Sequence, residues 1–481
     1  MDSTLVFNLI WELLLALYAV TVIVTICVVV FENRSPVRAL AWVTVLIVVP
    51  AIGLILYFVF GRNIRSKKLL KRSQKRKLRL HSSGRQLSFQ KSSLSEDSHS
   101  LIRLASTLGS APAQIDNGII PFNDGKSKFD ALIADLEKAE KYIYFQYYII
   151  ADDEIGNRIC NLLKKKVNEG VKVTMIYDPV GSFPTKKKFF KDLLASGINA
   201  KPFIPVKFPA MGIRINWRNH RKLCVIDGCV GYIGGMNVAD RYLDGGDKFN
   251  MWRDLHLRVE GPVVASFESL FISDWNFLDT DIERFLENTP HRFGGVKLGN
   301  VVAQLVASGP TSQWYSIELL FLKAISLAKN RVYIATPYFL PTEGLLSALQ
   351  SAALSKVDVR IMVPMSSDSK MLTYATASYV AECLRAGIKF YFFKPGMMHS
   401  KMLLIDDEIT SVGSTNFDFR SFEHNFEANL FIYSKAFNEL AANMFYDDLK
   451  RSDRVRASVW RHRSLKRKAA ESFTRLFAPI L

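Results

Sequence analysis

The 481-residue sequence has little cysteine: Cys27, Cys160, Cys224, Cys229 and Cys383 are odd in number and scattered, with no CxxC pair. That pattern excludes a disulfide framework and gives no sign of a zinc or redox centre, so the thiols are read as free in a reducing compartment. Asp, Glu, Cys and His do not cluster at metal-ligand spacing, and chemistry without metal or cofactor is expected. Between residues 62 and 85 acid is missing altogether, while eleven positions are Lys or Arg. This run supplies most of the formal charge of +18. A basic excess serves nucleic acid or an anionic membrane equally well. The alternation of aromatic and basic residues that marks single-strand binding is absent, and no nucleic-acid partner is expected.

Long apolar runs are present, at residues 4–31 and 39–60. The second reaches about 33 Å as a helix, enough for a hydrocarbon core of about 30 Å. No basic segment precedes the first run and no small-residue cleavage site follows it, so both are read as membrane spans. Pro50 is expected to kink the second without ending it. The basic run follows directly, which by the positive-inside rule puts the long C-terminal portion in the cytoplasm. It also suits anionic headgroups. Residues 81–100, rich in Ser, Gln and charge, read as linker. The expected division is a transmembrane hairpin over 1–61, a basic linker over 62–110, two similar domains over 111–295 and 296–450, and a basic tail over 451–481. In the tail, Val455, Val459, Trp460, Leu465 and Phe473 suit docking on anionic lipid or an ordinary solvated helix.

The two domains are expected because the chain repeats itself. Helical patterns at 129–139 and 155–168 alternate with strand-like runs at 142–150 and 171–177. Helical 317–328 and 343–354 alternate in the same order with 332–339 and 357–363. Strands alternating with helices predict an α/β fold of mainly parallel sheets covered by helices.

Each half then carries one motif. The first copy is His220-Arg-Lys222-Leu-Cys-Val-Ile-Asp227 followed by Gly234-Gly235-Met-Asn237; the second is His399-Ser-Lys401-Met-Leu-Leu-Ile-Asp406 followed by Gly413-Ser414-Thr-Asn416. Both obey HxKxxxxD, six residues, then G(G/S)xN. With each fixed residue type at about one in twenty, one copy arises by chance about once in 10⁴ such sequences. Two copies leave coincidence little room.

The spacing has a chemical meaning. His and Lys at i and i+2 of an extended strand project from one face, so each half offers an imidazole and an ammonium to a shared cleft. One imidazole can attack phosphorus while the other protonates the leaving alcohol. Lys222, Lys401, Asn237 and Asn416 can bind the phosphate oxygens. Gly235 and Ser414 allow a ligand close to the backbone. Asp227 and Asp406 are candidates for the catalytic set, with an architectural role at a turn as the alternative. A nucleophilic His needs its other nitrogen held, and Asp254 and Glu427, downstream of His220 and His399 respectively, are candidates for that task.

These paired motifs resemble the phospholipase D superfamily, and the match narrows to the bacterial cardiolipin synthases. Asn219-His220-Arg221-Lys222, Gly234-Gly235-Met-Asn237, Trp252-Arg253-Asp254 and Val259-Glu260-Gly261-Pro262 look like that family's first half. Ser308-Gly309-Pro310, Thr336-Pro337-Tyr338, Gly413-Ser414-Thr-Asn416, Arg420-Ser421-Phe422 and Asn425-Phe426-Glu427 look like its second. The N-terminal Glu32-Asn33-Arg34-Ser-Pro36 also fits. Gly235 departs from the superfamily's usual Ser. The resemblance implies two α/β domains sharing one active site, a covalent phosphohistidine on His220, and His399 as acid and then base. It implies two phosphatidylglycerol molecules joined into cardiolipin with release of glycerol. Phospholipid hydrolysis or transfer to another alcohol is the alternative, and a nuclease the remote one.

Overall fold

The computed structural model describes residues 3–31, 36–57, 93–205, 217–278 and 299–479. The basic run 62–85, the linker up to residue 92 and the last residues of the second apolar run lie outside them. The chain divides into two compact units, one holding the N-terminal apolar helices and the other the two repeats.

In the first unit the helix Ser3–Phe31 is long and apolar enough to cross a membrane. The second apolar run does not form one helix. Pro36–Val48 ends, Val49 leaves helical geometry, and Pro50–Leu56 begins anew. The break is a single residue, after which the helix resumes at Pro50, because proline drives the residue before it out of the α region and lacks the N–H that would continue the ladder. Val29, Leu46 and Tyr57 bury one another, with Trp42 edge-on to Tyr57 at 5.5 Å.

The second unit is built on nineteen strands among the described residues. The first repeat supplies β1 (Gln114–Phe122), β2 (Tyr142–Tyr147), β3 (Lys172–Tyr177), β4 (Asn199–Pro202), β5 (Leu223–Ile226), β6 (Val230–Gly234), β7 (Trp252–Arg253) and β8 (His256–Glu260). The second supplies β9 (Val301–Ser308), β10 (Arg331–Ala335), β11 (Phe339–Leu340), β12 (Asp358–Pro364), β13 (Lys389–Phe393), β14 (Met397–Met398), β15 (Met402–Ile405), β16 (Ile409–Gly413), β17 (Phe417–Asp418), β18 (Glu427–Tyr433) and β19 (Ser452–Arg454). Fifteen of them form one sheet in the order β19-β13-β12-β10-β15-β16-β18-β9-β1-β8-β6-β5-β2-β3-β4.

Read outward from the β1/β9 pair, the two halves repeat the same seven-strand order. That antiparallel pair is the seam, tied by the Asn117 side chain, which donates to the Val301 carbonyl at 3.0 Å. The sheet is not mainly parallel. Only β2/β3, β3/β4, β10/β12 and β12/β13 run parallel. The helical crossovers make those four pairs. The motif strands instead turn back through tight hairpins, β5 into β6 and β15 into β16, which only antiparallel neighbours allow.

Helices cover the faces, and their starts are chemically marked. Asp124 and Asp153 accept from the backbone of Ser127 and Gly156 and so cap the helices Gly125–Glu137 and Glu154–Asn168. Their apolar faces pack on β2 and β3 through Leu132, Leu136, Ile159 and Leu163. The expected linker ends early: Glu96–Thr107 is a helix capped by Ser95, and Leu101, Ile102 and Ala105 join the second repeat's core. The tail, too, is structured. β19 pairs with β13, and the helices Ala457–Arg461 and Leu465–Arg475 follow.

Candidate active site

The strands β5 and β15 are buried along their whole length, as their apolar runs require. Lys222 and Lys401 immediately precede them, and His220 and His399 stand two residues earlier. Each histidine segment pairs with the other repeat. Asn219 bridges to Phe426, and the His220 N–H donates to the Phe426 carbonyl at 3.0 Å. Met398 pairs with Arg253, and the His399 N–H donates to the Arg253 carbonyl at 2.7 Å. The residue before each histidine thus lies beside the residue before the opposite repeat's acid.

The consequence is a crossing of partners. Glu427 Oε1 lies 2.9 Å from His220 Nδ1, and Asp254 Oδ2 lies 2.6 Å from His399 Nδ1. The sequence placed each acid downstream of its own repeat's histidine; in three dimensions each one holds the other repeat's imidazole. Linear distance carried no information about this, since the pairing is made by strand contacts between the repeats.

Each G(G/S) pair lies against its own repeat's acid and bonds to the residue after it. The Gly235 N–H donates to the Leu255 carbonyl at 2.9 Å and the Ser414 N–H to the Ala428 carbonyl at 3.0 Å. The Ser414 hydroxyl donates to Glu427 Oε2. At Gly235 a Cβ would lie 2.1 Å from Asp254 Oδ1, so a side chain fits there only if Asp254 moves. Both residues, singled out for phosphate binding, are placed against the carboxylates.

Burial pushes the His220 and His399 imidazoles down to about 4. It pushes Lys401 down to about 8 and Lys222 well below its ordinary value. Burial alone would raise the two acids, but Lys401 and His399 around Asp254, and His220 and Lys222 around Glu427, outweigh it and hold both below the usual carboxylate range. At neutral pH the carboxylates are therefore ionised and the imidazoles neutral. A carboxylate accepts the Nδ1 proton, which leaves Nε2 as the bare nitrogen of each ring.

The Lys222 ammonium donates to the His220 carbonyl at 2.6 Å, and Lys401 Nζ lies 2.7 Å from His399 Nδ1 and 3.2 Å from Nε2. Among the described residues neither lysine forms an ion pair. Two buried cations facing two histidines make a site for an anion.

Asn237 and Asn416 differ. Asn237 Nδ2 donates to the Tyr242 hydroxyl and its Oδ1 accepts from the Ile149 N–H at 3.1 Å, so its amide is engaged within the protein. Asn416 Oδ1 has no protein partner among the described residues.

Asp227 and Asp406 stand at the far ends of β5 and β15, about 16 Å along an extended strand from their lysines. Asp227 accepts from the N–H groups of Glu140, Lys141 and Tyr142, each at 2.8 Å. Asp406 does the same for Lys329, Asn330 and Arg331 at 2.7–3.0 Å. Both occupy left-handed backbone, with φ of 52° and 48°. Their geometry is architectural: each ties the motif hairpin to the start of the neighbouring strand, away from the histidines.

Aromatic walls complete the site and were not anticipated. Tyr148 meets His220 edge-on at 5.0 Å, while Trp252 and Tyr242 lie 5.1 and 5.9 Å from His399. Asp178 is buried with Arg218 at 3.4 Å and accepts from the Asn219 N–H. The signal for Trp252 was its adjacency to Arg253-Asp254; Tyr148 sits in the run 142–150, which reads simply as strand, and Tyr242 in none of the runs.

Known proteins match this architecture over its whole length. Residues 132–275 and 321–449 match the family described as cardiolipin synthase, PLD-like domain, and residues 15–62 match the phospholipase D-nuclease N-terminal family. The cardiolipin synthase of Listeria monocytogenes serovar 1/2a (strain EGD-e) is 40% identical over 479 residues, 98% of this chain and 99% of the relative. The major cardiolipin synthase of Bacillus subtilis (strain 168) is 39% identical over 484 residues, with the same coverage. The crystal structure of a phosphatidylserine synthase from Haemophilus influenzae Rd KW20 superposes with a TM-score of 0.59 at 14% identity, covering 79% of this chain and 98% of that one, and so shares the fold. With duplicated motifs meeting in one site and identity of this order from end to end, the chain belongs to the cardiolipin synthases, a family of phospholipase D-type phosphatidyltransferases.

Proposed function

We propose that the protein joins two phosphatidylglycerol molecules into cardiolipin and releases glycerol, with His220 as nucleophile. The observation that carries this reading is the pair of neutral imidazoles, each held through Nδ1 by an ionised carboxylate, beside two buried lysines that form no ion pair among the described residues. A phosphodiester supplies that anion.

His220 Nε2 is the less encumbered nitrogen, whereas Lys401 crowds both nitrogens of His399. In the first step the His220 Nε2 lone pair attacks phosphorus, the bond from phosphorus to the headgroup oxygen breaks, and His399 gives that oxygen a proton. The negative charge of the bound phosphodiester favours the proton on His399, which burial disfavours in the free protein. In the second step His399 removes the proton from a hydroxyl of a second phosphatidylglycerol as its oxygen attacks phosphorus and the bond to His220 breaks. One phosphodiester is exchanged for another, so no energy source is consumed. Lys222 and Lys401 neutralise the equatorial oxygens, where charge accumulates, and of the Asn416 amide only the Nδ2 N–H can donate to them. Glu427 and Asp254 position the two rings.

The expected membrane arrangement is two spans with the catalytic portion cytoplasmic, supported by the basic run that follows the second apolar stretch. A periplasm-dependent reporter fused after residue 481 should stay inactive, and an active one would reverse the orientation. For the reaction itself, the purified protein in phosphatidylglycerol vesicles is expected to form cardiolipin and glycerol in equal amounts. His220→Ala should lower the rate by about 10⁴-fold or more. Phosphatidic acid without cardiolipin would make it a hydrolase and defeat the proposal.

A further inference from the structure

The C-terminal helix Leu465–Arg475 is amphipathic in the wrong sense for a helix docked on a protein body. Its inward face is charged. Glu471 is only 2% exposed, and its carboxylate accepts from Arg463 at 2.9 Å and from Arg467 at 3.0 Å. Arg463 lies over the Trp460 ring at 4.1 Å. Arg475 pairs with Glu382 at 2.6 Å and lies over Tyr379 at 4.2 Å, which fastens the helix to Lys370–Arg385.

The outward face is apolar. Leu465, Phe473 and Leu476 are 82%, 62% and 75% exposed, and Ala469 between them is exposed too. At 100° per residue these four positions fall within an arc of about 80°. Lys466 and Lys468 flank that arc on either side, and Val459 of the preceding helix adds a further exposed side chain. A water-facing helix would carry the reverse pattern, with its apolar stripe buried. Three large side chains that no described residue covers, aligned in one stripe, mark a contact surface.

We propose that this helix lies in the headgroup region of an anionic bilayer, with Leu465, Phe473 and Leu476 inserted and Lys466 and Lys468 at the level of the phosphates. The charge flanking the stripe selects this occupant over a second copy of the chain, whose own flanking lysines would repel it, and over a neutral membrane, which offers the lysines nothing. The inference rests on the helix itself and stands apart from which phospholipid the active site consumes.

Amide exchange of the full-length protein in nanodiscs tests it. Segment 465–476 is expected to exchange about ten-fold more slowly in phosphatidylserine/phosphatidylcholine discs than in pure phosphatidylcholine discs. Leu465→Ser with Phe473→Ser and Leu476→Ser should erase that difference while leaving turnover of detergent-dispersed phosphatidylglycerol unchanged. Equal exchange in the two kinds of disc would overturn the proposal. So would protection that grows with protein concentration instead of anionic lipid, which would make the stripe a contact between copies. If turnover fails in every lipid while the exchange difference remains, the reaction assignment falls and the docking stands.

Discussion

The two histidine nests are copies of one design that have settled on different packing solutions. Around His220 the acid is Glu427, whose second oxygen accepts from the Ser414 hydroxyl and whose first also accepts from Asn425 at 3.2 Å. Around His399 the acid is Asp254, one methylene shorter, held by the Leu255 N–H at 2.7 Å and occupying the space that a Cβ at Gly235 would take. The longer acid comes with a serine and the shorter one with a glycine. Position and hydroxyl are thus a matched pair, because a carboxylate drawn back toward its own strand occupies the space that a serine side chain needs. The reverse change, Glu without the serine hydroxyl, would leave one buried carboxylate oxygen with fewer donors.

Breaking the carboxylates should have the largest effect and separate the two roles. Glu427→Gln and Asp254→Asn are each expected to lower kcat by about 10³ to 10⁴-fold, since an amide no longer fixes the tautomer. If the crossed pairing governs the chemistry, Glu427→Gln leaves little of the phosphatidyl-His220 intermediate, while Asp254→Asn slows both its formation and its breakdown. Identical intermediate levels in both variants, measured by rapid quench in alkaline denaturant, which preserves the histidine–phosphorus bond, and mass spectrometry, would show that the nests share their duties.

The glycine and serine positions sharpen the comparison at a smaller scale. Gly235→Ser forces a clash with Asp254 and should lower kcat by about 10- to 100-fold. Ser414→Ala removes one charge-assisted hydrogen bond, and about ten-fold is expected. Equal tolerance at the two positions would remove the matched-pair explanation.

The lysines differ as well. Lys401 is charged below about pH 8 and neutral above it. Loss of that charge weakens phosphate binding, so kcat/KM should fall above pH 8 by about ten-fold per unit. Bound substrate raises the same group, so kcat alone should fall only at higher pH. A kcat/KM profile flat to pH 10 would remove Lys401 from binding.

Smallest of all should be the catalytic effect of Asp227→Asn and Asp406→Asn. Each exchanges a carboxylate that collects backbone N–H groups for an amide that accepts fewer, at a cost of about 1–3 kcal/mol in stability. Thermal denaturation should register the change, and kcat per folded molecule should not. A drop beyond about ten-fold at full folding would return these residues to the catalytic set.

Much of this was legible in the chain. The repeat, the paired histidines and lysines, and the helices and strands around them follow from periodicity and local spacing, which act over a few residues. The role of Asp227 remained open because an Asp-Gly turn looks the same whether its carboxylate faces a ligand or a backbone. The inside-out character of Leu465–Arg475 was hidden too, since composition reveals two faces and not which one is covered. The sequence by itself determined which groups are available for phosphoryl chemistry and the order of elements that carries them. Only the tertiary structure decided that each acid serves the opposite repeat, because that pairing is set by the contacts Asn219 to Phe426 and Met398 to Arg253, made between the repeats where no local pattern encodes them.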